Sequence, residues 1–532
     1  MKAQPNVASV TLAWNASAGS GVVGYYLYEG SASRNYTNRI AAGNVTAATV
    51  SGLDPGATYY FAVTAYDNNG LESAPSSEIT YTPSASSGTY YGISLGDPTQ
   101  AAADSDADTL STLVEYAVGT DPLNSTDAQA GIRIFITQTG SASYLTMQYK
   151  SRVNAAMLQL NYVPEVSADN GTWFSDGSHV QIMSVAPLDT EFNWVTVQDT
   201  TPLSPKASRF VRLRVALEGT LQSTTPAWIG TDTLLRGNNL TLFSQRMVRP
   251  VLCAGTVDSV NLTGFSDTSA QFAAGQFGTN GTPAYVELED GAMINISQTD
   301  TNRLNLAANG AQAPSAGESY RIRAQFTVAS LFGTNNETGL TAGPSPAEAD
   351  NVILYDAKRQ NTLIVFYYSN RTQTAWSGWV RADTLKADGE EVIEPNEGVM
   401  VRRIVANDAH LYMCGPIKAG LAGVQVQPGF NLLGTLNSSS SLALSSLNLY
   451  TGDSSSGLLA GINPSASDNL IVVSPDGSLG TFFYYSQPGL FQGWLNAKGY
   501  AAADNVLIPA GSAFFINRQA PTGFSWALPV QP

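Results

Sequence analysis

Between Asp104 and Pro122 the chain reads Asp-Ser-Asp-Ala-Asp-Thr-Leu-Ser-Thr-Leu-Val-Glu-Tyr-Ala-Val-Gly-Thr-Asp-Pro. Three aspartates stand at alternate positions, and Glu115 is twelfth counting from Asp104. Alternate carboxylates converge when a loop wraps one hard cation, and a carboxylate at position twelve closes the shell from the first turn of a helix. The spacing predicts a calcium ligand set of Asp104, Asp106, Asp108, the Leu110 carbonyl and Glu115. Position six favours glycine for its sharp turn, yet here it is Thr109, a β-branched residue that resists the left-handed conformation. The competing reading is an acidic linker carrying an N-capped helix.

Other chemistry is thin. The chain has two histidines, His179 and His410, so any Ser-His-Asp or Cys-His arrangement would have to use one of them. His179 follows the turn Asp176-Gly-Ser with no second histidine near it and reads as a surface residue. His410 and Cys414 are four apart, but Val405 to Met413 has no amphipathic period that would align them on a helix. Gly-rich phosphate loops and zinc spacings are missing from the sequence. Glu287 and Glu289 share one strand face, and Glu390, Glu391, Glu394 and Glu397 crowd one loop; a glycosidase needs two carboxylates in a cleft, whereas acids at strand edges and turns serve solubility. These sites predict no enzymatic activity. Tyr367, Trp376, Trp379 and Trp494 are the aromatic residues that could stack on sugar rings; the opposing reading is that aromatics repeated at strand positions form core.

The elements that would position these residues are mostly strands. Thr109 to Tyr116 reads as the one short helix, with Leu110, Leu113, Val114 and Ala117 as its apolar stripe, Gly119 as its stop and Asp121-Pro122 turning the chain away. A length of 532 residues predicts roughly three to five domains. Charged residues make up 13% and aromatics 10%, with Gly, Ser, Thr, Asn and Ala abundant, the makeup of β-rich extracellular proteins. Lys plus Arg number 26 against 42 Asp plus Glu, a net charge of −16, which argues against nucleic acid or an anionic membrane as partner. No apolar run is long enough to span a bilayer, and Met1-Lys2-Ala3-Gln4-Pro5 leads into a strand pattern without an apolar signal core. Cys253 and Cys414 are too few for a disulfide framework; each sits at an apolar strand position, as a buried thiol or as half of a single bridge.

Residues 1–84 alternate strands and turns. Val10-Thr-Leu-Ala-Trp14, Tyr25-Tyr-Leu-Tyr28 and Leu53-Asp-Pro55-Gly56-Ala-Thr-Tyr59-Tyr-Phe61 resemble a fibronectin type III domain. The resemblance implies a sandwich with Trp14 as its buried tryptophan, Leu53 plugging the space between sheets, and Tyr59 as the corner tyrosine whose hydroxyl bonds back to the chain. Residues 85–130 form the linker with the EF-hand-like calcium loop, and its wording Leu-Val-Glu115-Tyr116-Ala-Val-Gly119-Thr-Asp121-Pro resembles the calcium-loop linkers of large secreted bacterial proteins, notably verrucomicrobial ones. Residues 131–220 read as a small β-sandwich.

The remainder, 221–532, contains a repeat. Ala349-Asp350-Asn351-Val-Ile-Leu-Tyr355, Phe366-Tyr367-Tyr368-Ser369 and Ser377-Gly378-Trp379 are echoed by Ser467-Asp468-Asn469-Leu-Ile-Val-Val473, Phe483-Tyr484-Tyr485-Ser486 and Gln492-Gly493-Trp494. The spacing predicts a first half over about 236–253 plus 324–410, a second over about 419–532, and a β-barrel inserted at about 254–323. In this alignment Arg402 answers to Arg518. The region resembles uncharacterised secreted verrucomicrobial β-repeat proteins, a resemblance that brings no activity. The sequence thus predicts an all-β, multidomain chain of β-sandwiches and a small β-barrel. Its expected role is that of an extracellular or cell-surface structural protein, a filament or surface-layer subunit that self-associates or contacts other surface proteins. A carbohydrate-binding or adhesive module, with polysaccharide as partner, is the alternative. Asn6-Val-Ala-Ser-Val-Thr-Leu12, uncharged, is the expected donor edge strand.

Overall fold

The computed structural model describes residues 8–19, 21–54, 56–83, 89–205, 207–217, 221–307, 314–370, 377–418, 420–435, 441–473, 478–487, 489 and 491–528. Strands dominate, and the sheets among these residues are antiparallel, as the alternating patterns require. No helix among them is long and apolar enough to cross a membrane.

In the first unit Ala8–Ala13 pairs with Ala47–Leu53, facing a sheet ordered Asn38–Gly43, Val22–Gly30, Tyr59–Asp67, Ile79–Tyr81. Leu12, Leu27, Val50, Leu53 and Phe61 fill the space between. The Tyr59 hydroxyl accepts the Asp54 N–H at 2.8 Å, which pins the crossing between the sheets. Trp14 is only half-buried; it shares the inward face with Leu12 but lies just past the end of the strand Ala8–Ala13, leaning on Tyr25 (5.7 Å between centroids) at the margin of the core. Of the proposed donor strand, residues 6 and 7 lie outside the described residues, and the rest is paired along Ala47–Leu53. Tyr59→Phe removes one hydrogen bond from a tight corner; a loss of about 0.5–1.5 kcal/mol in urea unfolding of this unit is expected, with its strands unchanged by circular dichroism.

The second unit stacks Val180–Pro187, Phe192–Asp199, Ala142–Arg152 and Ile132–Thr139 on a sheet ordered Leu160–Ser167, Arg209–Leu217, Trp228–Leu235, Ala409–Pro416. Its last strand arrives from some two hundred residues downstream, so this sandwich is completed by the C-terminal region. Arg209–Leu217 is buried on both faces: Val211, Leu213 and Val215 enter the sandwich core, while Phe210 enters the next core and Arg212 and Arg214 share Glu165 at 2.7 and 2.9 Å.

Two five-stranded sheets follow with one design. The first is ordered Leu240–Ser244, Gly398–Arg402, Asn351–Asp356, Asn361–Ser369, Ser377–Arg381; the second, Gly429–Gly434, Ala513–Arg518, Asn469–Val473, Leu479–Ser486, Gln492–Asn496. Registers agree residue by residue, Phe366 facing Asn351 as Phe483 faces Asn469, and Trp379 facing Tyr367 as Trp494 faces Tyr484. Buried ion pairs correct the alignment by one position: Arg403 meets Asp350 at 3.2 Å as Arg518 meets Asp468 at 2.6 Å, so Arg403 rather than Arg402 answers to Arg518. Between the strands of the first sheet, a seven-stranded curved sheet from Val251–Thr256 to Ser319–Ala324 forms a half-barrel with its own core.

Both cysteines are free. Cys253 packs in the half-barrel and Cys414 beside the second sandwich, so neither is placed to bridge the other, and burial pushes the thiols up to about 12 and about 11.

Candidate metal centre

Around the acidic stretch the chain folds into α1 (Pro98–Ala102), capped by Asp97, a loop, α2 (Thr112–Val118) and α3 (Ala128–Gly131). The expected helix begins three residues late. Ala107 and Thr109 adopt φ of 62° and 87°, left-handed values that no helix accepts, so Ser111 becomes the N-cap and Gly119 (φ 74°) the C-cap. Thr109 therefore takes the conformation that position six demands despite its branched side chain. All seven residues of α2 are buried. Leu110, Leu113, Val114, Tyr116, Ala117 and Val118 belong to the same core as the second sandwich. Arg152 and the Tyr162 hydroxyl donate to the Tyr116 and Ala117 carbonyls at 2.8 and 2.6 Å. From the other side Arg321 of the half-barrel donates to the Ala107 carbonyl at 3.0 Å, its guanidinium 4.0 Å from Asp104. The loop is wedged between two units and is no free tether.

Within the loop each aspartate spends one oxygen on the backbone. Asp104 accepts the Thr109 N–H at 3.0 Å, Asp106 the Asp108 N–H at 3.2 Å, and Asp108 the Leu110 N–H at 2.7 Å. The second oxygens of Asp106 and Asp108 are buried without a hydrogen-bond donor, as are both oxygens of Glu115, whose exposure is 0%. Asp104, Asp106 and Asp108 bring one oxygen each within 4.8 Å of one another; Asp108, Glu115 and Asp127 do the same, so two triads overlap at Asp108. Leu110 keeps its place at position seven, its side chain in the core and its N–H on Asp108.

Asp127 was not among the expected ligands. It lies beyond the twelve-residue spacing, and the turn that follows Asp121-Pro122 carries it back, with one oxygen accepting the Asp121 N–H at 3.0 Å and the other buried and unpartnered. Only the folded turn reveals it, since a lone aspartate twelve residues after Glu115 carries no periodic signal.

Burial raises every one of these carboxyls, and repulsion within the cluster adds to it for three: Asp106 to about 6, Asp108 to about 8 and Glu115 to about 10, while Asp104 and Asp127 are raised by burial first. Buried acids are ordinarily paired with a cation or donor. Five acids, four of them with orphaned oxygens and no thiol or imidazole among them, make an all-oxygen donor set suited to a hard divalent cation.

Among the described residues the aromatic candidates do not form a platform. Trp379 and Trp494 are core residues, 3% and 2% exposed, because the strand face they occupy packs inward; Trp379 also donates its indole N–H to the Gly333 carbonyl at 2.8 Å. Tyr367 is half-buried, edge-on against Trp379 at 5.3 Å, and Trp376 lies outside the described residues. His179 is a surface residue paired with Asp176 at 2.8 Å, and His410 pairs with Asp232 at 2.9 Å. Among the grouped carboxylates Glu289 and Glu390 are exposed as expected, but Glu287 is buried in an ion cluster with Arg323 and Lys418.

Comparison with known proteins bears mainly on the first unit. The chain is 34% identical over 148 residues to chitinase A1 of Niallia circulans, covering 26% of this chain and 19% of that protein, so it spans less than a fifth of that relative's length. The crystal structure of Streptomyces avermitilis α-L-rhamnosidase complexed with L-rhamnose aligns over 99% of this chain and 54% of that one at 9% identity, with a TM-score of 0.10. Residues 2–82 match the fibronectin type III family, and with the paired sheets and the Tyr59 corner they form a fibronectin type III domain.

Proposed function

We propose that this chain is an extracellular bacterial structural protein without catalytic activity, whose β units are braced by a calcium ion held by Asp104, Asp106, Asp108, Glu115, Asp127 and the Leu110 carbonyl. The observation that carries this is Glu115: a fully buried carboxylate at position twelve with neither oxygen partnered, facing other buried acids. The loop is gripped by Arg321 on one side and by the second sandwich on the other, so the ion braces the seam between sandwich and half-barrel. Self-association is supported by the edge strand Val180–Pro187, which carries no charge and leaves Ile182, Met183 and Val185 half to two-thirds exposed. Sedimentation velocity and electron microscopy with and without calcium test this part; calcium-dependent oligomers or filaments support the structural role. A stable monomer that is retained on glycans favours the second reading, a polysaccharide-adhesive protein, which rests on the fibronectin type III domain and on the partial relative named a chitinase.

Protonation gives the brace a pH signature. At neutral pH the ion-free fold keeps protons on Asp108 and Glu115, and calcium must displace them. Calorimetry in buffers of different ionisation enthalpy is expected to read about two protons released per ion at pH 7. Without calcium the raised carboxyls bind protons more tightly folded than unfolded. Their contribution to stability is full below about pH 4 and is lost as pH climbs through about 6, 8 and 10.

A further inference from the structure

A cleft of about 550 Å³ opens where the half-barrel and the two repeated sheets meet, a volume in the range of small-molecule sites. Met293 and Asn295 come from the half-barrel, Tyr355 from the first sheet, Glu391 to Glu397 from the segment that leads into its strand Gly398–Arg402, Gly423 to Gln425 from the strand Ala422–Val426, and Asn431 to Leu433 from the second sheet. Its floor is polar. Asn295 donates to Glu394 at 2.6 Å and Gln325 to both Asn295 and Glu394, at 2.8 and 3.3 Å. The Glu394 N–H donates to the Glu397 carboxyl at 3.1 Å. The Asn396 amide donates to the Gly423 carbonyl at 3.2 Å, while its own oxygen is buried without a donor, in a side chain 9% exposed. Tyr355 stands half-buried on the wall, edge-on to Phe515.

The internal repeat says which of these residues the scaffold itself requires. Register sets Glu394, Asn396 and Glu397 against Pro509, Gly511 and Ser512 of the second half. A turn closes at the same place in both copies, Glu397 N–H to Glu394 carbonyl at 3.0 Å and Ser512 N–H to Pro509 carbonyl at 3.1 Å, although Gly511 is left-handed (φ 76°) where Asn396 is not. One fold thus builds this turn without any acid in one half, and with two acids sunk in a cleft in the other. Burial pushes Glu394 upward and Glu397 up to about 8, a cost that the turn geometry does not ask for. With Glu397 holding its proton, the floor offers an acid hydroxyl donor, amide donors and acceptors, and an aromatic edge. Rim charges are largely answered at home, Arg359 by Asp356 at 3.1 Å and Arg381 by Asp383 at 3.0 Å.

We propose that this cleft is a binding site for a neutral polyhydroxylated ligand, a short oligosaccharide, with Glu394, Asn396 and Glu397 as its hydrogen-bonding floor. Mixed donors and acceptors, the unpartnered Asn396 oxygen among them, suit hydroxyls, which both donate and accept, and a tyrosine ring suits the apolar face of a sugar. The site is separate from the calcium loop and stands or falls apart from it.

The test is calorimetry of the full chain, with calcium, against the pentasaccharides of chitin, cellulose and xylan, and against spermidine. At least one sugar is expected to bind at one site per chain, and E394P/E397S, which installs the second half's own residues, is expected to weaken it about tenfold or more while melting as the wild type does. If that double variant fails to fold, Asn396→Gly, again the residue of the second half, serves the same purpose. No sugar binding, undiminished binding in the folded variant, or uptake of spermidine in place of the sugars overturns the proposal.

Discussion

Glu115→Gln is expected to abolish the calcium-induced rise in melting temperature expected of the wild type, while leaving the ion-free protein as stable as before or more so. Glutamine keeps the shape of the side chain, so the core around α2 is undisturbed. It removes a carboxyl that burial, and then the charges of Asp108 and Asp106, already hold protonated. The variant loses the carboxylate that completes the shell, and with it most affinity. For the wild type, calcium at a hundredfold excess over its Kd is expected to add about 2.7 kcal/mol, as for an ion that binds the folded loop and not the unfolded chain. Differential scanning calorimetry with calcium and with chelator reads this directly. A wild type indifferent to calcium would remove the brace from the proposed function. Thr109→Gly is the complementary variant: φ of 87° costs a β-branched residue about 1–2 kcal/mol that glycine does not incur, so the variant is expected to melt higher with calcium and without it.

The loop and the repeat were legible because both are written in short-range spacing. Alternate aspartates and a glutamate at position twelve survive any error in the surrounding fold, and Asn351 to Trp379 against Asn469 to Trp494 is a match of sequence to sequence. What the sequence could not carry is contact between distant segments. Ala409–Pro416 closes the second sandwich from across the half-barrel, so the sandwich and the repeat share a sheet that no local pattern marks. Asp127 joins the acidic centre only through the turn after Pro122. Glu394 and Glu397 read as solvated loop acids, being close together in a Pro- and Gly-containing stretch, and they are cleft residues because three units meet above them. Trp379 and Trp494 were open between core and ligand platform, and burial decides for core.

Glu287→Ala is expected to cost about 3–5 kcal/mol, the largest effect of any single substitution proposed for this chain. Glu287 lies on the half-barrel strand Ala284–Leu288 and is 5% exposed. Arg323, on the neighbouring strand, holds it at 2.6 Å, and Lys418, from the segment that leaves Ala409–Pro416, holds it at 2.9 Å; both cations are themselves buried. Arg323 also donates to the Arg249 carbonyl at 2.7 Å, at the entry to the half-barrel. Burial alone would raise the Glu287 carboxyl, but Arg323 and then Lys418 outweigh it and hold it below the usual range. Removing the acid leaves two cations facing each other out of water. Replacing all three residues by methionine removes the charges together and is expected to recover most of the loss, which separates the cost of orphaned charge from lost packing. The pH sign is opposite to that of the calcium loop: a lowered carboxyl contributes stability that is present above about pH 4 and is lost as pH falls through its folded value. Urea unfolding across pH therefore distinguishes the two clusters, with Glu287→Ala flattening the acid side of the profile and Glu115→Gln the alkaline side of the calcium-free one. An acid limb unchanged in Glu287→Ala would show that the ion cluster does not hold the half-barrel to the rest of the chain.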